Sequence, residues 1–292
     1  MKILLIGHSI IDHIDTEAFN SVRPGGIYYS ALGISALEKI RKNIALLTGW
    51  NKSKFNLFKE IYEELDLSPS KEIEKMPEVF LETSSAGERN EKYLHLSTNL
   101  SLENIQNWKK YDGILINMIT GFDISLDQLK SIRKNFSGPV YFDLHTLSRG
   151  IDENMKRKFR PVPFIKEWLS NIDILQCNES ELQTIVQQKN ENEGASEILD
   201  SGVKAIILTR GDRGVTLYYS NNSEIISHSL NAVRVKCENK IGCGDIFGAV
   251  FFYSYISNGN LFESLAKANY AGAIAASSKE LKIDTFKVIQ GE

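Results

Sequence analysis

A doubly wound α/β fold, with a mainly parallel sheet flanked by helices, is what the sequence predicts, and three observations predict it. Short apolar runs alternate with segments of helical spacing over most of the chain, which is the pattern of strand–helix–strand units. No internal repeat, low-complexity tract or proline-rich linker divides the chain, so residues 1–292 are expected as one main domain. Near the end, Asn239-Lys240-Ile241-Gly242-Cys243-Gly244-Asp245-Ile246-Phe247-Gly248 runs into the apolar stretch Ala249–Ile256, and this reads as a tight loop opening a helix.

In chain order, Lys2–Ile6 is the first strand, ending at Gly7-His8-Ser9 with Asp12 shortly after. Ligands of open α/β sheets sit beyond the carboxyl ends of strands, so Asp12 stands either at a polar substrate or in an ordinary turn. Pro24-Gly25-Gly26 is expected as a turn, or as backbone room for a ligand, ahead of a helix over Ile27–Arg41 in which Ala31, Ile34, Leu37 and Ile40 are spaced helically. Ile44–Thr48 follows as a strand and Lys52–Leu65 as a helix. Val79–Thr83 and Lys92–Leu96 flank a Ser/Gly/Asn-rich turn from Ser84 to Asn90, a hairpin that interrupts the alternation in the manner of a lid.

The alternation then resumes. Gly113–Asn117 and Val140–Phe142 are strands around the helix Ser125–Asn135, whose Ser125 and Gln128 fit a capping box. Ile172–Gln176 is a strand leading into Asn178-Glu179-Ser180-Glu181 and a helix to about Gln188; Asn178-x-x-Glu181 is itself the pattern of a capping box. Ala205–Thr209 is a strand, Arg210–Gly214 a turn, and Val215–Tyr219 with Glu224–Ser229 a second hairpin. Phe262–Ser278 is a helix rich in Ala and Gly, built for close packing.

Hydrophobic residues make up 42% and charged residues 24% of the chain, ordinary values for a soluble protein. A net charge of −3, with Lys and Arg scattered, leaves no footprint for nucleic acid or a membrane surface. The apolar run at Met1–Gly7 is too short for a signal peptide or a span, so a cytoplasmic location is expected. Cys177, Cys237 and Cys243 are odd in number and lack CxxC spacing, against a disulfide framework or a zinc site.

The loop at Gly242 carries the chemistry. Unpaired N–H groups and the positive end of the dipole make a helix start an anion site, and glycine lets a phosphate come close. A carboxylate beside a phosphate repels it, so Asp245 is either a base for an attacking hydroxyl or a cap favouring the helix dipole. The third glycine of Gly242-x-Gly244-x-x-x-Gly248 is one residue late for a dinucleotide fingerprint, and the loop lies far from the first strand. Neither a P-loop nor a G-x-S-x-G elbow is present.

Together these residues resemble the PfkB, or ribokinase-like, carbohydrate kinases. The loop is similar to that family's D-T-x-G-A-G-D signature and lies roughly 50 residues from the end, where the family has it. Gly25-Gly26 before the helix resembles its N-terminal Gly-Gly segment, and Gly7 with Asp12 its opening strand and sugar-binding aspartate. Asn178-x-x-Glu181 resembles its N-x-x-E motif, Thr209-x-Gly211-x-x-Gly214 its nucleotide turn, and Lys267–Ala271 its adenine-side helix. The six matches fall in the right order across the whole chain.

The resemblance implies a doubly wound core with a small β lid, formed by segments near 12–24 and 77–98, and transfer of the ATP γ-phosphate to a substrate hydroxyl. It implies Asp245 as base and Gly242, Cys243 and Gly244 as the anion hole. Asp12, Gly25, Gly26 and Ser30 would hold a sugar or related small substrate; Asn178, Thr209, Gly211, Gly214 and Asn269 would line ATP; Glu181 would organise Mg²⁺ through water. Lid closure would exclude water, and the lid's Phe80, Leu81, Tyr93 and Leu94 would allow a homodimer.

Several positions depart from the family pattern. Asn239 and Lys240 replace the signature's Asp and Thr, a region that helps hold a monovalent cation in ribokinase-like members. Such a cation is therefore doubtful, with Lys240 supplying the charge and activity independent of potassium, or with Lys240 merely solvated. Cys243 replaces Ala, either as a small residue that fits or as a thiol of lowered pKa at a helix start. Ser30 stands where many members carry Asn, beside the bulky Tyr28-Tyr29. A nucleoside kinase of the same fold, with Tyr28 or Tyr29 stacked on a base, and a catalytically weak regulator that binds nucleotide or sugar remain as alternatives.

Overall fold

The computed structural model describes residues 1–15, 20–82, 90–186, 189–222 and 224–290. Six strands run parallel in the central sheet: β1 (Ile3–Ile6), β4 (Ile44–Leu47), β9 (Gly113–Asn117), β10 (Val140–Asp143), β13 (Ile174–Asn178) and β14 (Ala205–Thr209). An antiparallel hairpin, β15 (Val215–Asn221) and β16 (Glu224–Leu230), extends one edge, giving the order β16-β15-β14-β13-β10-β9-β1-β4. A second sheet joins β3 (Asn20–Gly26), β2 (Ser9–Asp15), β7 (Glu78–Glu82) and β8 (Asn90–His95) in the order β3-β2-β7-β8. Two small pairs complete the strands: β5 (Gly49–Trp50) with β6 (Lys71–Glu72), and β11 (Arg149–Ile151) with β12 (Arg157–Phe159).

The parallel strands are near-continuous apolar runs because both faces are covered. Along β1, Ile3 and Leu5 point to one core while Leu4 and Ile6 point to the other, and the remaining strands alternate in the same way. The first core receives α1 (Ile27–Ser35), α2 (Lys59–Tyr62), α7 (Cys243–Asn258) and α8 (Leu261–Ser277); the second receives α3 (Leu126–Asn135), α4 (Ile165–Leu169), α5 (Glu179–Val186) and α6 (Glu191–Asp200). Small residues set the spacing of the first layer. A Cβ at Gly33 of α1 would lie 3.1 Å from that of Ala249 on α7, and α8 buries Ala268, Ala271 and Ala275. Among the described residues, no helix is long and apolar enough to cross a membrane.

Four expectations need correction. The helix from Ile27 ends at Ser35 rather than Arg41: the Glu38 carboxylate takes the Ile40 amide at 2.8 Å, and Ile40 is 63% exposed, off the core face. Lys52–Leu65 holds only a 3₁₀ turn, Phe55–Leu57, and the short α2, pinned in the core by Phe58, Ile61, Tyr62 and Leu65. Gly25-Gly26 is strand and not turn, because Ile10 and Ser9 pair with it. Asp12 likewise lies within β2, paired with Arg23 and Val79, since the chain leaves β1 and continues as a strand of the second sheet. The capping box at Ser125 and Gln128 is present, with both hydrogen bonds. The Ser84–Asn90 turn falls outside the described residues but for Asn90, and α5 is described to Val186.

β1 leads the chain to β4 on one side, and β9 starts the succession on the other, so the order reverses between β1 and β9. A buried carboxylate ties the two strand ends there. Asp123, 0% exposed, accepts from the His8 amide at 2.7 Å, the Thr120 amide at 2.8 Å and the Gly121 amide at 3.1 Å, and stands 3.0 Å from His8 Nδ1. Burial pulls its pKa up, but the charge and hydrogen bonds of His8 and the Thr120 amide outweigh that and hold it below the usual carboxylate range. Replacing Asp123 with Asn is expected to cost about 3 kcal/mol at neutral pH, read by urea unfolding. Because the folded pKa is depressed, the wild type's advantage is present above the unfolded value of about 3.9 and lost as pH falls through the folded one, so the two proteins converge in acid.

Candidate active site

Ligands of a doubly wound sheet bind beyond the carboxyl ends of the strands where the order reverses. The residues ending the strands are polar there: Asn117 on β9, Asp143 on β10, Asn178 on β13 and Thr209 on β14. Helix α7 starts over these ends. Gly242 is its N-cap residue with φ 77°, and Gly248 sits so close to the sheet that a Cβ would lie 2.7 Å from Gln176 Oε1 and 2.8 Å from the Tyr141 hydroxyl. Gln176 Nε2 donates to the Gly244 carbonyl at 3.2 Å and to Asp143 Oδ2 at 3.1 Å, and its Oε1 accepts from the Tyr141 hydroxyl.

The second sheet covers a cavity at this point, lined by Asp12, Gly26, Tyr29, Glu91, Tyr93, His145, Gly242 and Asp245 with apolar Ile10, Val79, Leu81, Ile119 and Ile241. Asp12 lies flat on Gly25, where any Cβ would fall inside its carboxylate. Burial, with Asp12 and Asp245 next, pushes the Tyr29 phenol well up against a smaller opposing pull from Arg23. The Asp245 carboxylate accepts from Asn117 Nδ2 at 2.6 Å, and the same nitrogen stands 3.4 Å from Ser30 Oγ. The space is about 40 Å³, against about 300 Å³ for a small ligand pocket.

On the other side of Asp245 acids gather. Burial pushes the Asp143 carboxyl well up, reinforced by Glu181 and Asp245 and opposed by the His145 amide and Arg149. Asn178 and Glu181 form the capping box of α5, with the Glu181 amide 2.9 Å from Asn178 Oδ1 and the Asn178 amide 2.9 Å from Glu181 Oε2. Arg149 lies 3.7 Å from Glu181 and 3.5 Å from Glu91, joining this side to the second sheet. Crowded oxygen donors of this kind suit a hard cation. Among the described residues no group of three His, Cys, Asp or Glu side chains is placed to hold a metal ion directly.

Of the residues expected from sequence, Asp12, Gly26, Gly242 and Asp245 share the cavity, with Gly25 beneath Asp12, Ser30 near Asn117 and Gly244 held by Gln176. Cys243 Sγ points to the Asn239 carbonyl at 3.6 Å. Thr209 neighbours Asn178 in the ladder, Gly211 and Gly214 turn β14 into β15 with φ of 59° and 100°, and Asn269 is tied to the Asn231 carbonyl at 2.8 Å. None of these last four lines the cavity. Sequence reasoning missed Asn117, Asp143, Gln176, Glu91 and Arg149. A polar residue ending an apolar run was the available signal for Asn117 and Asp143; nothing local marked the others.

Residues 143–285 match the model of the pfkB family carbohydrate kinase. The deoxyribokinase of Salmonella typhi is 24% identical over 144 residues, 46% of this chain and 46% of that protein, so the match spans about half of its length. Among solved structures, a pyrophosphate-dependent kinase of the ribokinase family in a sulfate complex superposes with a TM-score of 0.80 at 13% identity, over 98% of this chain and 99% of the other. Arabidopsis thaliana ribokinase complexed with ribose and ATP superposes at 0.73 with 16% identity, over 100% and 99%. At these identities the superpositions establish the fold, which is ribokinase-like.

Gly242 is fixed by two demands, its positive φ and the Tyr29 ring, whose nearest atom would lie 2.5 Å from a Cβ. Gly242→Ala is expected to lower stability by about 1–3 kcal/mol in urea unfolding. Gly244→Ala, whose Cβ would meet only Gln176 at 3.9 Å, is expected to change it by less than about 1 kcal/mol.

Proposed function

We propose that this chain, which belongs to the PfkB family of carbohydrate kinases, transfers the γ-phosphoryl group of ATP to a hydroxyl of a sugar, polyol or sugar derivative. The observation that carries the reading is the meeting of Asp12 and Asp245 on one small cavity at the glycine-bracketed start of α7. Asp12, the Gly25-Gly26 backbone and Ser30 hold the acceptor's hydroxyls. Asp245 takes the proton of the attacking hydroxyl as its oxygen bonds to phosphorus and the bond to the ADP oxygen breaks. The amides of Gly242, Cys243 and Gly244 receive the charge spread over the transferring oxygens, in a place where water is excluded and dipoles are already oriented.

Glu181 with Asn178, next to Asp143, would hold Mg²⁺ through water, and bound Mg²⁺ would offset the negative charge of the phosphate chain. Thr209, Gly211, Gly214 and Asn269 line the nucleotide. The sheet β3-β2-β7-β8, which includes the described parts of segments 12–24 and 77–98, serves as the lid; it swings out to admit the acceptor and closes to limit ATP hydrolysis. Of the four lid residues expected at a homodimer contact, Leu81 and Tyr93 are buried against the cavity, while Phe80 and Leu94, with Val22, are exposed and suit a homodimer through the lid, which light scattering tests.

The test is ADP release from Mg-ATP across D-ribose, 2-deoxy-D-ribose, D-fructose, fructose 6-phosphate, myo-inositol and adenosine, with inorganic pyrophosphate run in place of ATP as a second donor. One acceptor is expected to turn over, with kcat about 10³-fold lower in Asp245→Asn. Turnover undiminished in that variant sinks Asp245 as base.

A further inference from the structure

Asn117 ends a strand that is otherwise apolar, Gly113-Ile114-Leu115-Ile116, and is 1% exposed. An amide in such a place costs desolvation free energy unless both of its ends are paired. Here one end is. Nδ2 serves Asp245 and Ser30, while Oδ1 has no hydrogen-bond partner among the described residues. The orientation follows from chemistry, because a carbonyl oxygen turned to the carboxylate would repel it. Leucine would fill a similar volume without burying an unpaired carbonyl, so packing does not account for the amide.

Asp245 has a competing place to go. It is the third residue of α7, in the turn whose amides lack intrahelical partners, and a carboxylate there is drawn to cap the helix. Instead it accepts from a side chain 128 positions away in sequence. That bond fixes Oδ1 and leaves the second oxygen for the cavity that Asp245 lines.

We infer that Asn117 is a positioning residue for phosphoryl transfer. It holds the Asp245 carboxylate off the helix start, selects which oxygen takes the proton, and joins that selection to Ser30 on the acceptor side. The inference rests on Asp245 being the base.

The experiment uses Asn117→Leu, Asn117→Gln and Asp245→Asn with the best acceptor of the panel above, each variant first checked for wild-type thermal unfolding within a few degrees. Asn117→Leu is expected to lower kcat about 10- to 100-fold with KM for acceptor and ATP within about two-fold, and Asn117→Gln, which restores an amide, to recover part of the loss. Added to Asp245→Asn, Asn117→Leu is expected to reduce kcat by less than about two-fold more, since no carboxylate is left to position. An unchanged kcat in Asn117→Leu, or losses that multiply in the double variant, overturn the inference while leaving Asp245 as base. Full turnover in Asp245→Asn removes the base, and the inference with it. A crystal structure of Asn117→Leu reads the same point without any acceptor. There the Asp245 carboxylate is expected to have turned onto the first-turn amides of α7, and a carboxylate left in its wild-type position overturns the inference.

Discussion

How closely α7 approaches the sheet governs everything at the cleft. The helix can start directly over the ends of β9, β10 and β13 only because Gly248 has no side chain where Gln176 and the Tyr141 hydroxyl stand. That approach lets Gln176 reach the Gly244 carbonyl and Asn117 reach the Asp245 carboxylate. Gln176 and the Asn117 amide nitrogen thereby find partners on the helix start, and the helix start is oriented by them. A helix seated a few ångströms further out would break both sets of hydrogen bonds at once, in a region where unpaired polar groups are costly.

The parts of this arrangement that were legible in the sequence have local causes. Gly242 announces a tight turn because backbone geometry demands it, and the capping boxes at Ser125 and Asn178 are short-range hydrogen-bond patterns that the structure contains. The sheet strands were legible for the same reason, as apolar runs bounded by turn residues. What failed was tertiary. Asp12 and Gly25-Gly26 read as loop and turn because nothing local says that β2 and β3 pair with each other and with β7. The helix from Ile27 continued on paper through Ile40, but the Glu38 side chain ended it with a hydrogen bond that spacing does not encode. Asn117 and Gln176 sit on apolar strands, and their partners lie 128 and 68 positions away.

The charge distribution divides the cleft. Toward the covering sheet Asp12, Asp245 and Tyr29 line one small space, where burial first and then the two acids push the Tyr29 phenol well up, a lining suited to hydroxyl groups. On the other side burial, and then the Glu181 and Asp245 carboxylates, push the Asp143 carboxyl well up, and the same burial would make a cation there effective. The same carboxylate, Asp245, belongs to both sides, which is why its orientation matters more than that of its neighbours.

Arg149 gives the two sheets a mechanical relation. Its guanidinium is shared between Glu91 on the covering sheet and Glu181 beneath it, with side chains only 12, 7 and 7% exposed. Separating the sheets would pull Glu91 away from a countercharge in surroundings of low polarity, at a cost in Coulomb energy that is steepest over the first ångströms. Salt, which screens exposed pairs, reaches this one poorly. Arg149 is thus a buried clasp between the covering sheet and the helix beneath it.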